Sequence, residues 1–228
     1  MRRPEADDPR SIRYRLRRAR FRWIERILDD ILAEKPVARI LDMGGRGAYW
    51  RLLDPTYHGR IEITLLNLPE DTAREAPDTV PGLDLRIETG DATDMPQYAD
   101  GSFDLTHSNS VIEHVGLYSA MARFAAETRR VGRAYYVQTP NFWFPLEPHY
   151  GLPFFHWLPE PARIFFHTHT GAGFAPRTDM NTALRWVDHT RIVPRRLMRH
   201  FFPDATHESE RIALMTKSLI AYRPWPRR

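Results

Sequence analysis

Five short apolar runs, at residues 37–41, 61–68, 83–88, 103–107 and 133–139, recur along the chain, separated by helix-compatible or turn-rich stretches. Parallel strands can be neighbours only through long crossovers, and the helices in those crossovers cover both faces of the sheet. The alternation therefore predicts an α/β fold, doubly wound around a mostly parallel sheet. Helices are expected at 11–33, 49–53, 119–130 and 194–202, and two more strands at 205–212 and 214–222. Between the fifth strand and the helix at 194–202 the pattern breaks into a Pro- and aromatic-rich insertion at about 140–180. Insertions of that length often act as lids.

No cysteine occurs in the 228 residues, so disulfides, thiolate metal sites and a cysteine nucleophile are excluded. No apolar run approaches the length that spans a bilayer. The first ten residues are charged and lack the apolar stretch of a secretory leader, which predicts a cytoplasmic location. The net charge of +4 is concentrated at 10–22, where seven arginines alternate with Ile12, Tyr14, Leu16 and Phe21. A positive run alone supplies only non-specific attraction to polyanions, so a solvated helical face is the simpler reading than a nucleic-acid site.

Chemistry concentrates where the first run stops. Ile40-Leu41 passes into Asp42-Met43-Gly44-Gly45-Arg46-Gly47, a carboxylate followed by closely spaced glycines. At the carboxyl edge of a parallel sheet, glycines let a ligand approach the backbone where a Cβ would intrude. A dinucleotide fingerprint is absent, because neither the G-x-G-x-x-G spacing nor its later acidic residue is present. Gly90-Asp91-Ala92 follows the third strand, and the fourth strand leads into Ser108.

These segments, in this order, resemble the cofactor-binding motifs of class I S-adenosylmethionine-dependent methyltransferases, of the bacterial small-molecule, type 11-like group. The resemblance covers 37–138 well and extends to 205–222, which looks like the terminal antiparallel pair of that family's seven-stranded, Rossmann-like sheet. It implies a methyltransferase domain over 36–228, preceded by a basic helical segment at 1–35, with S-adenosylmethionine as cofactor. It places Asp42 near the methionine amino group, Gly44, Gly45 and Gly47 in the cofactor loop, Asn67 at the ribose, Asp91 and Ala92 near the adenine, and Ser108 near the methionine part. Two features depart from the family pattern, one in the loop and one at the end of the second strand. Arg46 and Ala48 stand where further loop glycines align, and Asn67 replaces an acidic residue, exchanging two acceptors for one acceptor and two donors.

Methyl transfer from a sulfonium asks the protein to position a nucleophile and exclude water, with a base for some acceptors. His114, just past the fourth strand, and His149, past the fifth, are the candidate catalytic residues, because imidazole accepts a proton near neutral pH. Local hydrogen bonding at the start of a helix is the competing reading of His114. The aromatic stretch 142–157 is either a pocket wall, with Glu147, His149 and His156 lining it, or a lid packed on the core. No His-Glu-x-x-His spacing occurs, and His167 and His169 would face opposite ways if extended, so no metal is expected. The expected activity is O- or N-methylation of a small or medium-sized acceptor. Alternatives are an RNA-modifying methyltransferase, which the lack of an Asn/Asp-Pro-Pro-aromatic tetrad after the fourth strand disfavours, a non-catalytic binding protein of this fold, and, more distantly, a nicotinamide oxidoreductase.

Overall fold

Strand β1 (Ala38–Met43) occupies the middle of a seven-stranded sheet, flanked by β2 (Ile61–Asn67) and β4 (Phe103–Asn109). The computed structural model describes residues 11–72 and 80–226; 1–10, including Arg10 of the basic run, 73–79 of the polar stretch after β2, and 227–228 lie outside the described residues. Strand β3 (Asp84–Thr89) pairs with β2, and β5 (Gly132–Pro140) with β4, all in parallel. Strands β6 (Thr206–Ile212) and β7 (Met215–Arg223) form an antiparallel hairpin, and β7 joins β5 antiparallel, giving the order β3-β2-β1-β4-β5-β7-β6. The expected sheet is present, and its order reverses between β1 and β4. Ligands of open α/β sheets bind at such a switch point, beyond the carboxyl ends of the strands.

The two-residue strand period sorts the core into two layers. Ala38, Ile40, Leu105, Ala134 and Tyr136 face helix α1 (Ile12–Glu34), whereas Leu41, Met43, Tyr135 and Val137 face α4 (Tyr118–Val131) and the later α7 (Arg195–Phe201). Ser11 caps α1 by accepting a hydrogen bond from the Tyr14 amide. The helix then buries Phe21, Ile24, Ile27, Leu28 and Ile31 on the sheet. Each such side chain stabilises the fold by about 1.5–3 kcal/mol relative to exposure. The basic face of α1 is not uniformly solvated, because Arg20 turns inward. Its guanidinium pairs with both oxygens of Glu210, at 3.0 and 2.9 Å, and also donates to Asn109 Oδ1 and Gln138 Oε1, at 2.8 and 2.9 Å. Burial alone would raise the Glu210 carboxyl, but Arg20, with Lys217 and Ser218, brings it below its ordinary value.

Between these layers the first crossover is short, containing α2 (Gly47–Trp50), and α3 (Pro69–Thr72) follows β2. The insertion holds two helices that its composition concealed, α5 (Glu160–His169) and α6 (Met180–Asp188). Pro161 stands in the first turn of α5, where the missing amide hydrogen costs nothing and the fixed φ suits a helix. Asp179 caps α6 through the Thr182 amide at 3.0 Å. The pair His167 and His169 is therefore helical rather than extended, with His167 fully buried and His169 exposed.

Candidate active site

At the end of β1 the carboxylate of Asp42 points into the core and is 1% exposed. The β1–β4 register sets it opposite His107, whose Nδ1–H donates to Oδ1 at 2.7 Å, while the Trp50 indole donates to Oδ2 at 2.8 Å. Both oxygens are thus engaged inside the protein. His107 stacks on Tyr136 with ring planes 4° apart, and burial raises the Tyr136 hydroxyl far above its ordinary value, so this phenol stays neutral.

The glycine loop is held from three sides. Gly44 has φ +68°, a left-handed conformation that side chains resist, and a Cβ there would lie 2.7 Å from a Val111 methyl. A Cβ on Gly45 would overlap the Asp42 carboxylate, so the backbone wraps that group closely. From β2, the Asn67 amide donates to the Gly45 carbonyl at 3.0 Å. Gly47 is buried and opens α2. At the end of β3, Asp91 is exposed and accepts the Thr93 amide at 2.8 Å, forming a tight turn, and Ala92 packs half-buried on the core. Ser108 of β4 is fully buried, and its hydroxyl has no hydrogen-bond partner within the protein. Seven of the eight residues expected around a cofactor therefore lie in the loops and strand ends of this one edge, and the eighth, Asp42, lies beneath them.

A second polar group forms beyond β4 and β5. The turn Ile112–His114 follows β4. Glu113 is fully buried; one oxygen accepts the Thr139 hydroxyl at 3.0 Å and the other, Oε1, is unpartnered. The next residue, His114, lies at the surface and donates through Nδ1 to the His189 carbonyl at 2.7 Å. His149 comes from the insertion and donates through Nδ1 to Glu147 Oε1 at 2.5 Å. The His114 and His149 rings meet edge to face, with centroids 4.7 Å apart. Glu147 is itself fully buried and also accepts the Tyr150 amide, so it supports the group rather than lining a cavity. His156 stands apart, donating through Nε2 to the Phe142 carbonyl at 2.7 Å, and burial lowers its pKa.

Sequence reasoning gave no part to His107, Trp50 or Glu113. His107 shares the two-residue period of the α1-facing positions of β4, so a polar residue in that series was the available signal. Trp50 carried none, because its partner is fixed only by the return of the chain from β1.

A family model described as a methyltransferase domain matches residues 41–134, which include the glycine loop, β2, β3, β4 and the Glu113-His114 turn. Two uncharacterized proteins from Mycobacterium tuberculosis strains are each 30% identical over 86 residues, covering 37% of this chain. That stretch spans 29% of the relatives' own length. The solved structure of the PH0226 protein from Pyrococcus horikoshii OT3 has a TM-score of 0.57 at 17% identity, covering 95% of this chain and 93% of that one. An O-methyltransferase family protein from Burkholderia thailandensis has a TM-score of 0.51 at 14% identity, covering 91% of this chain and 59% of its own. At such identities these two establish likeness of fold. The matched segment runs from the end of β1 to the start of β5, and the sheet order with its antiparallel β7 is that of the Rossmann-like methyltransferase fold.

Proposed function

We propose that this chain binds S-adenosylmethionine at the β1/β4 switch point and methylates an oxygen or nitrogen of a small or medium-sized acceptor. The observation that carries the reading is the glycine loop itself, whose positive φ at Gly44 and Cβ-excluding contact at Gly45 make a small-residue cradle at the ligand edge. The buried, unpartnered Ser108 hydroxyl on β4 fits a polar ligand there, since such a group is costly without a partner. When bound, the cofactor supplies an electrophilic methyl group.

The chain's own residues would divide the work by position. Gly44, Gly45 and Gly47 let the ligand approach the backbone, and Asn67 fixes the loop through the Gly45 carbonyl. Asp42 acts from below as the brace of that loop, since both its oxygens are engaged. Asp91 and Ala92 border the adenine side, and Ser108 borders the methionine side. His114 and His149 receive the acceptor at the edge of β4 and β5, and the aromatic stretch 142–157 shields that edge from water.

Titration calorimetry with S-adenosylhomocysteine tests the reading. Micromolar or tighter binding is expected, with Gly44→Val reducing affinity at least 100-fold, because a branched residue is strained at φ +68° and collides with Val111. Absence of heat and of any thermal shift at millimolar ligand would overturn the proposal.

A further inference from the structure

Three metal-type ligands converge beside the acceptor edge although no sequence spacing announces them. One donor atom each from Glu113, His114 and His149 lies within 4.8 Å of the other two. Tetrahedral ligands about 2.1 Å from a cation stand about 3.4 Å apart, so closure by about 1 Å of side-chain movement completes the set.

The surroundings of each ligand fit such a site. Glu113 Oε1 is buried without a partner, an arrangement whose cost a cation would remove. The His114 Nδ1–H is spent on the His189 carbonyl and the His149 Nδ1–H on the Glu147 carboxylate. In each ring the lone pair therefore resides on Nε2. Metal-ligating histidines are oriented in this way, with the non-ligating N–H held by a carboxylate or carbonyl. The supports are fixed in turn. The Tyr150 amide holds the second oxygen of Glu147, and the Arg191 amide donates to the Glu113 carbonyl at 2.9 Å, anchoring the loop that carries His189.

We infer that Glu113, His114 and His149 form a binding site for a divalent first-row transition-metal cation. One carboxylate and two imidazoles suit zinc, iron or manganese rather than magnesium, which prefers oxygen ligands. Three protein ligands leave coordination positions open. The inference deepens the proposed acceptor site and rests on that reading only for its use: a bound cation would hold a hydroxyl of the acceptor and lower its pKa, so that as the proton is lost to solvent the oxygen bonds the methyl carbon, the carbon–sulfur bond of the sulfonium breaks, and S-adenosylhomocysteine leaves. Glu113 and His114 are joined to His149 across 35 residues by the fold, so no local spacing along the chain marks the set.

The test is zinc titration of the full chain after chelator treatment, followed calorimetrically. One equivalent is expected to bind at micromolar or tighter affinity, with Mg²⁺ at least 100-fold weaker. Glu113→Gln and His149→Ala should each weaken zinc at least 100-fold, and the supporting variant Glu147→Gln about 10–100-fold. His114→Ala alters a surface side chain and keeps the test valid if Glu113→Gln misfolds. No stoichiometric binding, Mg²⁺ as tight as zinc, or unchanged affinity in His114→Ala and His149→Ala would overturn the site. S-adenosylhomocysteine titration of the same protein separates the two proposals, since zinc binding without nucleoside binding sinks only the methyl-transfer reading, and the reverse sinks only this one.

Discussion

The two sides of this sheet edge differ in how the carboxylates of Asp42 and Glu113 are satisfied. On the α1 side of β1 and β4, both Asp42 oxygens are engaged by His107 and Trp50, and the Arg20 guanidinium meets Glu210, Asn109 and Gln138, although His107 Nε2 and the Tyr49 and Tyr136 hydroxyls there lack partners. Across β5, in the insertion and the turn after β4, buried atoms stand without partners: Glu113 Oε1, both His167 nitrogens, His156 Nδ1 and Arg163 Nε. The first arrangement builds a rigid floor under a loop. The second leaves one oxygen of the buried Glu113 carboxylate without a partner, at a cost in stability. Under the proposed function, a scaffold that holds the glycine loop in one shape and an insertion that receives an acceptor call for these opposite treatments of their carboxylates.

The contrast breaks most directly at the floor. Asp42→Leu strands two buried donors at about 1–3 kcal/mol each, so chemical denaturation should show a loss of about 4 kcal/mol. Asp42→Asn should cost only about 1 kcal/mol, because His107 can move its proton to Nε2 and accept from the new amide. Equal losses in the two variants would mean that the carboxylate charge, not the hydrogen-bond count, holds the floor.

Arg20→Ala should cost about 3 kcal/mol, the lower end for breaking a buried pair, because Lys217 lies 3.6 Å from Glu210 and Ser218 donates to it. The pair also sets a pH dependence. Folded Glu210 keeps its charge below the ordinary carboxyl value of 4.5, whereas the unfolded chain takes up a proton there. Its contribution is therefore fully present above pH 4.5 and is lost as pH falls through the depressed folded value. Denaturation midpoints across this range should flatten in Arg20→Ala, and an unaltered slope would remove Glu210 from the account.

The smallest effect lies in the insertion and has the opposite sign. His167 is fully buried among Tyr150, Phe155 and Trp186, and burial, aided by Arg163, lowers its pKa. Below the ordinary value of 6.5 the unfolded chain binds a proton that the folded chain refuses, so the wild type loses stability as pH falls from there. His167→Phe should gain about 1 kcal/mol near pH 6 and less at pH 8, read from thermal midpoints. A loss of stability at both pH values would show that the ring nitrogens are satisfied in solution.

Local signals alone determined the sheet, the glycine loop and the Ser108 strand. Each lies within a few residues of its own strand, and period-two burial, glycine φ and turn chemistry act over that range. Asn67 was legible as a position but not as a brace, because its partner, the Gly45 carbonyl, belongs to another strand's loop. The helices α5 and α6 were hidden by prolines that sit at turns and first turns, where they do not oppose helix. Only the tertiary structure decided that Asp42 faces His107 and Trp50, that Arg20 is buried while its basic neighbours Arg15 and Arg22 stay exposed, and that Glu113, His114 and His149 converge. Contacts of this kind depend on strand register and on where the insertion returns to the sheet edge. No spacing along a chain encodes that distance, because packing of the whole core fixes it.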